Sequence, residues 1–186
     1  ATFFHRFGWR RVIQLAYGHR THFLLAERDG AIEGVLPLAE INSRLFGHSL
    51  IASPFCVYGG IAAATPEARE QLDRRAQALA QELGVGHLEY RDRDAPAHAD
   101  WPGSELYVTF RKEIDPDVEK NMAAIPRKQR AMVRKGIKNG LTIELENGVE
   151  GFFAVYADNV RRHGTPAMPK RYFALLREEF REDCEI

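Results

Sequence analysis

Apolar residues recur along this chain with two periods, and the switches between them mark out its elements. Over residues 6–17, Phe7, Val12, Ile13 and Ala16 share a face at helical spacing, and Gly18 supplies a stop. Residues 21–27 and 32–38 are apolar runs on either side of Arg28-Asp29-Gly30, and Asp-Gly between two such runs predicts a β-hairpin. Residues 49–53 predict a third short strand, which Pro54 ends. Tyr58-Gly59-Gly60 then permits a bulge or a close backbone approach to something bound.

Thr65-Pro66-Glu67 predicts a helix start, with Thr65 as the N-cap, Pro66 at the first helical position and Glu67 in the first turn. That helix runs to Leu83 and stops at Gly84. A strand over 87–91 follows, then an irregular stretch to Gly103 and a strand over 106–110. Next come a helix from Pro126 to Asn139-Gly140, a strand over 141–145, a helix over 149–163, a break at 164–169 and a helix over 172–180. This order predicts an α/β or α+β domain, a mixed sheet flanked by helices, with a second unit starting near Leu141. The expected boundaries are 1–124, a connecting helix over 125–140, and 141–186. No internal repeat is evident.

Charge changes the picture in one place. The chain carries 26 basic and 26 acidic residues, yet between Lys120 and Gly140 there are seven Lys/Arg and no Asp or Glu. Concentrating positive charge in a neutral protein predicts a local anionic partner. On a helix turning about 100° per residue, Arg127, Lys128, Arg130, Arg134, Lys135 and Lys138 fall within an arc of roughly 160°, opposite Met132, Val133 and Ile137. A merely soluble helix usually carries acids four residues away to pair its cations, and this one has none.

Composition sets the class. With 186 residues, 45% hydrophobic and 28% charged, the chain is an ordinary globular one able to bury a core. Cys56 and Cys184 stand far apart without a CxxC partner, so neither a disulfide framework nor a zinc site is expected. No 18-residue apolar run and no leader pattern occur, which reads as a cytoplasmic chain. The opening at Ala1 and the close at Ile186 read as cut rather than natural ends.

Several motifs lead nowhere. Gln81-Glu-Leu-Gly-Val-Gly86 matches a coenzyme A pyrophosphate pattern, but a phosphate loop needs glycines that open a helix, and these close one. None of the seven histidines forms an HExxH or H-x-E arrangement, and His19 and His22 read as a surface pair at a turn. No G-x-S-x-G elbow or P-loop occurs. Glu89 and Arg91 share a strand face turned either to a cleft or to solvent. Trp9 belongs either to the core or to a substrate groove. Arg161 to Pro166 reads as a helix end with cations suited to its dipole and Gly164 as cap.

Phe7-Gly-Trp9, Gly34-Val-Leu-Pro-Leu38, Ser53-Pro-Phe55 with Tyr58-Gly-Gly60, Ile125-Pro-Arg-Lys-Gln-Arg-Ala-Met-Val-Arg-Lys135, and His163-Gly-Thr-Pro166 with Tyr172-Phe173 resemble the FemAB/FemX family. More narrowly, they are similar to FemAB-related proteins associated with exosortase and PEP-CTERM exopolysaccharide loci. The resemblance implies a GNAT-like acyltransferase fold for the first domain, followed by the beginning of a second GNAT-like unit that is mostly absent from this sequence. It implies transfer of an acyl or aminoacyl group, forming an amide on a phosphate-bearing cell-envelope or exopolysaccharide precursor. The family pattern K-x-[KR]-x-x-[IV]-[RK]-[RK] is met by Lys128, Arg130, Val133, Arg134 and Lys135, and the resemblance implies that these cations lie near the anionic substrate. Trp9, Arg11, Tyr58, Gly59 and Gly60 are the candidate groove. Cell-wall members carry a lysine near the Gly-Trp pair where this chain has Arg10 and Arg11.

The resulting expectation is a transferase with no permanently bound cofactor and no metal, using aminoacyl-tRNA or acyl-CoA as donor substrate. Its partners would be an anionic precursor and charged tRNA, with the membrane touched only peripherally if the substrate is lipid-linked. Two other readings remain open: a non-catalytic module binding RNA or an anionic surface, and an acetyl-CoA-dependent N-acetyltransferase. No catalytic residue emerges from the sequence.

Overall fold

The computed structural model describes residues 1–93, 98–104 and 107–186. Its first helix, α1 (Gly8–Tyr17), buries Trp9, Val12, Ile13 and Ala16 and ends at Gly18. Strands β1 (Arg20–Arg28) and β2 (Ala31–Ser43) form the predicted hairpin, with Asp29 and Gly30 both at positive φ in its turn. A register shift between Ala26 and Glu27 places a bulge just before that turn. Strand β3 (Gly47–Ala52) runs antiparallel to β2, and β5 (His87–Glu89) lies parallel to β3. The two-residue β4 (Ala62–Ala63) joins the same side of β2 farther along, at Gly34 and Val35. The sheet order is therefore β1-β2-β3-β5, with β4 beside β2.

Helix α2 (Pro66–Leu83) starts as its sequence dictates, with the Thr65 hydroxyl accepting the Ala68 N–H and Pro66 in the first turn. It connects the sheet's parallel pair, as such pairs require. Leu72, Ala76 and Leu79 of α2 pack on Leu36, Leu38, Leu50 and Ala52 of the sheet. Adjacent residues on β1 divide between two cores: Leu24 joins this one, while Phe23 joins the cluster around Trp9, Val12 and Ala16. Successive strand side chains point to opposite faces, so helices cover the sheet on both sides.

Helices α3 (Val118–Ala124), α4 (Arg127–Lys138), α5 (Glu150–Arg162) and α6 (Lys170–Phe180) follow. The chain divides into two compact units, Ala1–Ala99 with Glu146–Ile186, and Asp100–Leu145. The expected boundaries of 1–124, 125–140 and 141–186 follow the order of elements along the chain, whereas these units follow packing. Tyr172 and Phe180 of α6 are buried against α1, and Phe180 lies 5.2 Å from the Trp9 ring. Arg6 pairs with Asp183 at 2.5 Å, and Arg11 with Glu178 at 2.7 Å. Phe152 and Tyr156 of α5 in turn flank Phe173.

Two expected strands are corrected. Residues 141–145 carry no strand, and Leu141, Ile143 and Leu145 are exposed. Of the strand expected over 106–110, Leu106 lies outside the described residues and 107–110 carry no strand. Residues 141–145 alternate apolar and polar side chains and 106–110 are rich in strand formers, but a strand exists only by pairing its backbone with a neighbour, and none pairs with them among the described residues.

A second correction concerns His22, which is not a simple surface group. Its Nε2 lies 3.6 Å from the Glu40 carboxylate, whose other oxygen is 2.7 Å from His48 Nε2. Burial raises the Glu40 pKa, but the two imidazoles outweigh it and hold the carboxyl below its usual range. A carboxyl depressed on folding stabilises the protein above its unfolded pKa, and that contribution disappears as pH falls through the folded value. Glu40→Gln is therefore expected to be less stable than wild type at neutral pH. The gap should close between about pH 5 and pH 3, read by urea unfolding across that range.

Candidate functional site

The chain leaves β3 at Ala52 and rejoins the sheet at β4, and the segment between is held in an unusual backbone. Ser53 and Phe55 both have positive φ (45° and 67°) without being glycine. Such strain persists only where the surroundings over-determine it. Here Ser53 donates its N–H to Pro37 O (3.0 Å) and its hydroxyl to Phe4 O (3.1 Å), and it is almost fully buried. Gly59 exchanges two backbone hydrogen bonds with Arg91, at 2.9 and 2.6 Å. The Arg91 guanidinium donates to Cys56 O (3.1 Å) and to the Glu89 carboxylate (2.7 Å).

This segment walls an open cleft of about 190 Å³, bordered by His5, Tyr58, Gly60, Arg69, Arg91, Asp92 and Arg93. Arg69, Arg91 and Arg93 border it together with Asp92, and since Arg91 is already paired with Glu89, Arg69 is the guanidinium best placed to meet an anionic occupant. Arg69 is anchored by a bond to Ile61 O (3.0 Å) and forms no ion pair among the described residues. Tyr58 packs its ring edge against Phe4 at 6.0 Å. Gly60 admits close approach: a Cβ there would lie 2.1 Å from Asp92 Oδ1.

Two nearby groups are poor candidates for chemistry. His5 is held neutral by burial, which lowers its pKa against the opposing effect of its bond to Gly60 O. That carbonyl can only accept, so Nε2 carries the proton and Nδ1 takes the Thr2 N–H at 3.1 Å. Both ring nitrogens are thus occupied. Burial pushes the Cys56 thiol up to about 12, so it is not a thiolate nucleophile at neutral pH.

Of the groove residues expected from sequence, Tyr58 and Gly60 border this cleft and Gly59 stands behind it in the bridge to Arg91. Trp9 does not border it: the ring is 4% exposed and its N–H donates to Phe3 O at 3.2 Å. Arg11 lies on the outer side of α1, paired with Glu178 and Glu179 of α6. Arg69, Asp92 and Arg93 were not singled out by sequence reasoning. No spacing signals them, because the parallel pairing of β5 and the return of the chain through β4 bring them together. Arg91 was read as facing either cleft or solvent, and it faces the cleft.

The basic helix forms as expected over Arg127–Lys138, behind Pro126. Lys128, Arg134 and Lys135 are exposed and Arg130 is half-buried. None of the four forms an ion pair among the described residues. Met132 and Ile137, on the apolar side, are also exposed. Gly84 is the C-cap of α2, at φ 61°. The N–H groups of Gly84, Val85 and Gly86 are spent on Ala80 and Gln81 O, on Ala80 O, and on His48 O respectively. Segment 84–86 therefore offers no backbone donors to a pyrophosphate.

Among the described residues there is no cluster of three or more His, Cys, Asp or Glu suited to a metal ion. Nor is any described helix long and apolar enough to cross a membrane. No family profile and no curated protein matches the chain. Among solved structures it is similar to FemX, with a TM-score of 0.62 and 17% identity over 98% of this chain. The chain spans about half the length of that protein, 50% of which is covered. At this identity the likeness establishes a FemX-like fold, a mixed sheet flanked by helices.

Proposed function

We propose that this chain is part of an acyl- or aminoacyl-transferase that forms an amide on a phosphate-bearing precursor of the cell envelope or of an exopolysaccharide. The observation that carries the reading is the arginine-lined cleft against Tyr58 and Gly60, set in a FemX-like fold. In the reaction an amine attacks an activated ester or thioester carbonyl. A C–N bond forms, the C–O or C–S bond breaks, and the amine proton leaves with the departing alkoxide or thiolate. The protein's part is to position the reactants and to stabilise charge on the carbonyl oxygen. Arg69, with a planar fork and one anchored N–H, is suited to grip a phosphate in the cleft. Arg130 and Arg134 of α4 could act likewise on an anionic surface, with Lys128 and Lys135 as point charges. The donor we favour is aminoacyl-tRNA over acyl-CoA, because the N–H groups of residues 84–86 are already committed.

Calorimetric titration with a nucleotide-sugar diphosphate tests the binding half. Arg69→Gln should weaken affinity by about tenfold or more, as loss of a hydrogen bond to a charged group does. The double charge reversal Arg130→Glu with Arg134→Glu tests α4 separately and should also weaken binding. Unchanged affinity in either variant, with an unchanged melting temperature, sinks that residue assignment. Comparing acyl transfer from charged tRNA and from acyl-CoA, with an RNase control, tests the donor.

The α4 cations also leave room for a second reading, a non-catalytic RNA-binding module. It predicts RNA affinity that falls steeply with salt and is indifferent to sequence.

A further inference from the structure

The hairpin of β2 and β3 outruns the sheet to which it belongs. β1 leaves β2 at the Arg20–Glu40 pair, and β5 meets β3 only from Ser49 onward. Among the described residues, 41–48 are therefore a two-stranded finger, touched at its base by a 2.7 Å bond from the Gly86 N–H to His48 O. At about 3.4 Å per residue it reaches roughly 10 Å past its neighbours.

The end of this finger is not built for water. Leu45 and Phe46 are adjacent and each 87% exposed, at a turn where polar residues are the rule. Ser43 accepts the N–H groups of Leu45 (3.3 Å) and Phe46 (3.2 Å) on its hydroxyl oxygen. Two tip donors are thus satisfied internally, which removes much of the cost of taking the turn out of water. The finger contains no Asp or Glu, and its ionisable groups are Arg44, exposed, and His48, half-buried.

A narrow convex tip with two bulky apolar side chains, capped backbone and a neighbouring arginine fits the interface of a bilayer. There the apolar groups enter the acyl boundary, and a long cationic side chain stays at phosphate level. We propose that residues 41–48 form an interfacial finger that inserts Leu45 and Phe46 into an anionic lipid surface, with Arg44 against the lipid phosphates. The inference rests on the finger alone and is independent of the transferase reading.

Cosedimentation of the full chain with phosphatidylcholine vesicles, and with vesicles mixed with phosphatidylglycerol, tests it. Wild type should partition onto the mixed vesicles. L45S/F46S should lower that partitioning by about tenfold or more, since two apolar side chains no longer leave water. R44E should lower it by at least about fivefold, as expected for one cation near an anionic surface. Both tip side chains are exposed, so the variants should keep the wild-type melting temperature. Failure of wild type to sediment would overturn the proposal, as would equal sedimentation of L45S/F46S. So would light scattering that shows self-association abolished by L45S/F46S while vesicles stay bare, because the finger would then meet a second copy of the chain.

Discussion

Gly59→Ala is expected to lower the melting temperature by about 6–12 °C, corresponding to about 3 kcal/mol for a chain of this size. A Cβ at Gly59 would lie 2.4 Å from the Ala52 carbonyl oxygen and 2.5 Å from Ser53 Cβ. Neither can give way easily. Ala52 is fully buried and paired with Leu38, and Ser53 is fixed by its bond to Pro37 O. The new methyl would therefore push residue 59 off Arg91 and break a bridge that closes one wall of the cleft. Gly103→Ala is the control: nothing stands within 4 Å of its Cβ, and a change within about 0.5 kcal/mol is expected. Thermal unfolding followed by circular dichroism reads both. A wild-type melting temperature for Gly59→Ala would mean that the segment after β3 yields, and that its strained backbone is not over-determined.

Trp9→Ala should be the most damaging single truncation, at about 3–5 kcal/mol. The ring is buried within 6 Å of Phe3, Phe4 and Phe180, and so ties the amino-terminal turn, α1 and α6 together. Trp9→Phe keeps an aromatic ring but loses the N–H bond to Phe3 O, and should cost about 1–2 kcal/mol. The pair separates the two roles that the sequence left open. A core tryptophan gives this graded loss in urea unfolding. A groove tryptophan would instead change ligand affinity while stability held. Stability unchanged in Trp9→Ala would exclude the packing account.

The elements that were legible from sequence were those specified by neighbours in the chain. The Asp29-Gly30 turn, the Thr65-Pro66-Glu67 start, the Gly84 stop and the basic helix behind Pro126 all form where local chemistry predicts them. Segments 107–110 and 141–145 have strand-forming residues, and the second strand-like alternation, but no strand, because pairing depends on a partner that local sequence does not specify. The cleft was half legible. Tyr58-Gly59-Gly60 permits a bulge or a close backbone approach to something bound, and the groups that approach Gly59 and Gly60 in the structure are Arg91 and Asp92 of the chain itself. Arg69 carried no such signal, since a cation on an amphipathic helix reads as solvated until the tertiary contact with Ile61 O turns it inward.

The class of fold, the hairpin, the capped helices and the acid-free run of cations at 120–140 are written in local sequence. These depend on periodicity, φ preferences and charge within a few residues. Which cations share a cleft, the place of Trp9 in a core, the pairing of Arg11 with α6 and the packing of residues 146–186 with 1–99 emerge only once the chain is folded. Those outcomes follow from contacts between residues far apart in the chain. Such contacts are set by which apolar faces find each other, and no local pattern encodes that choice.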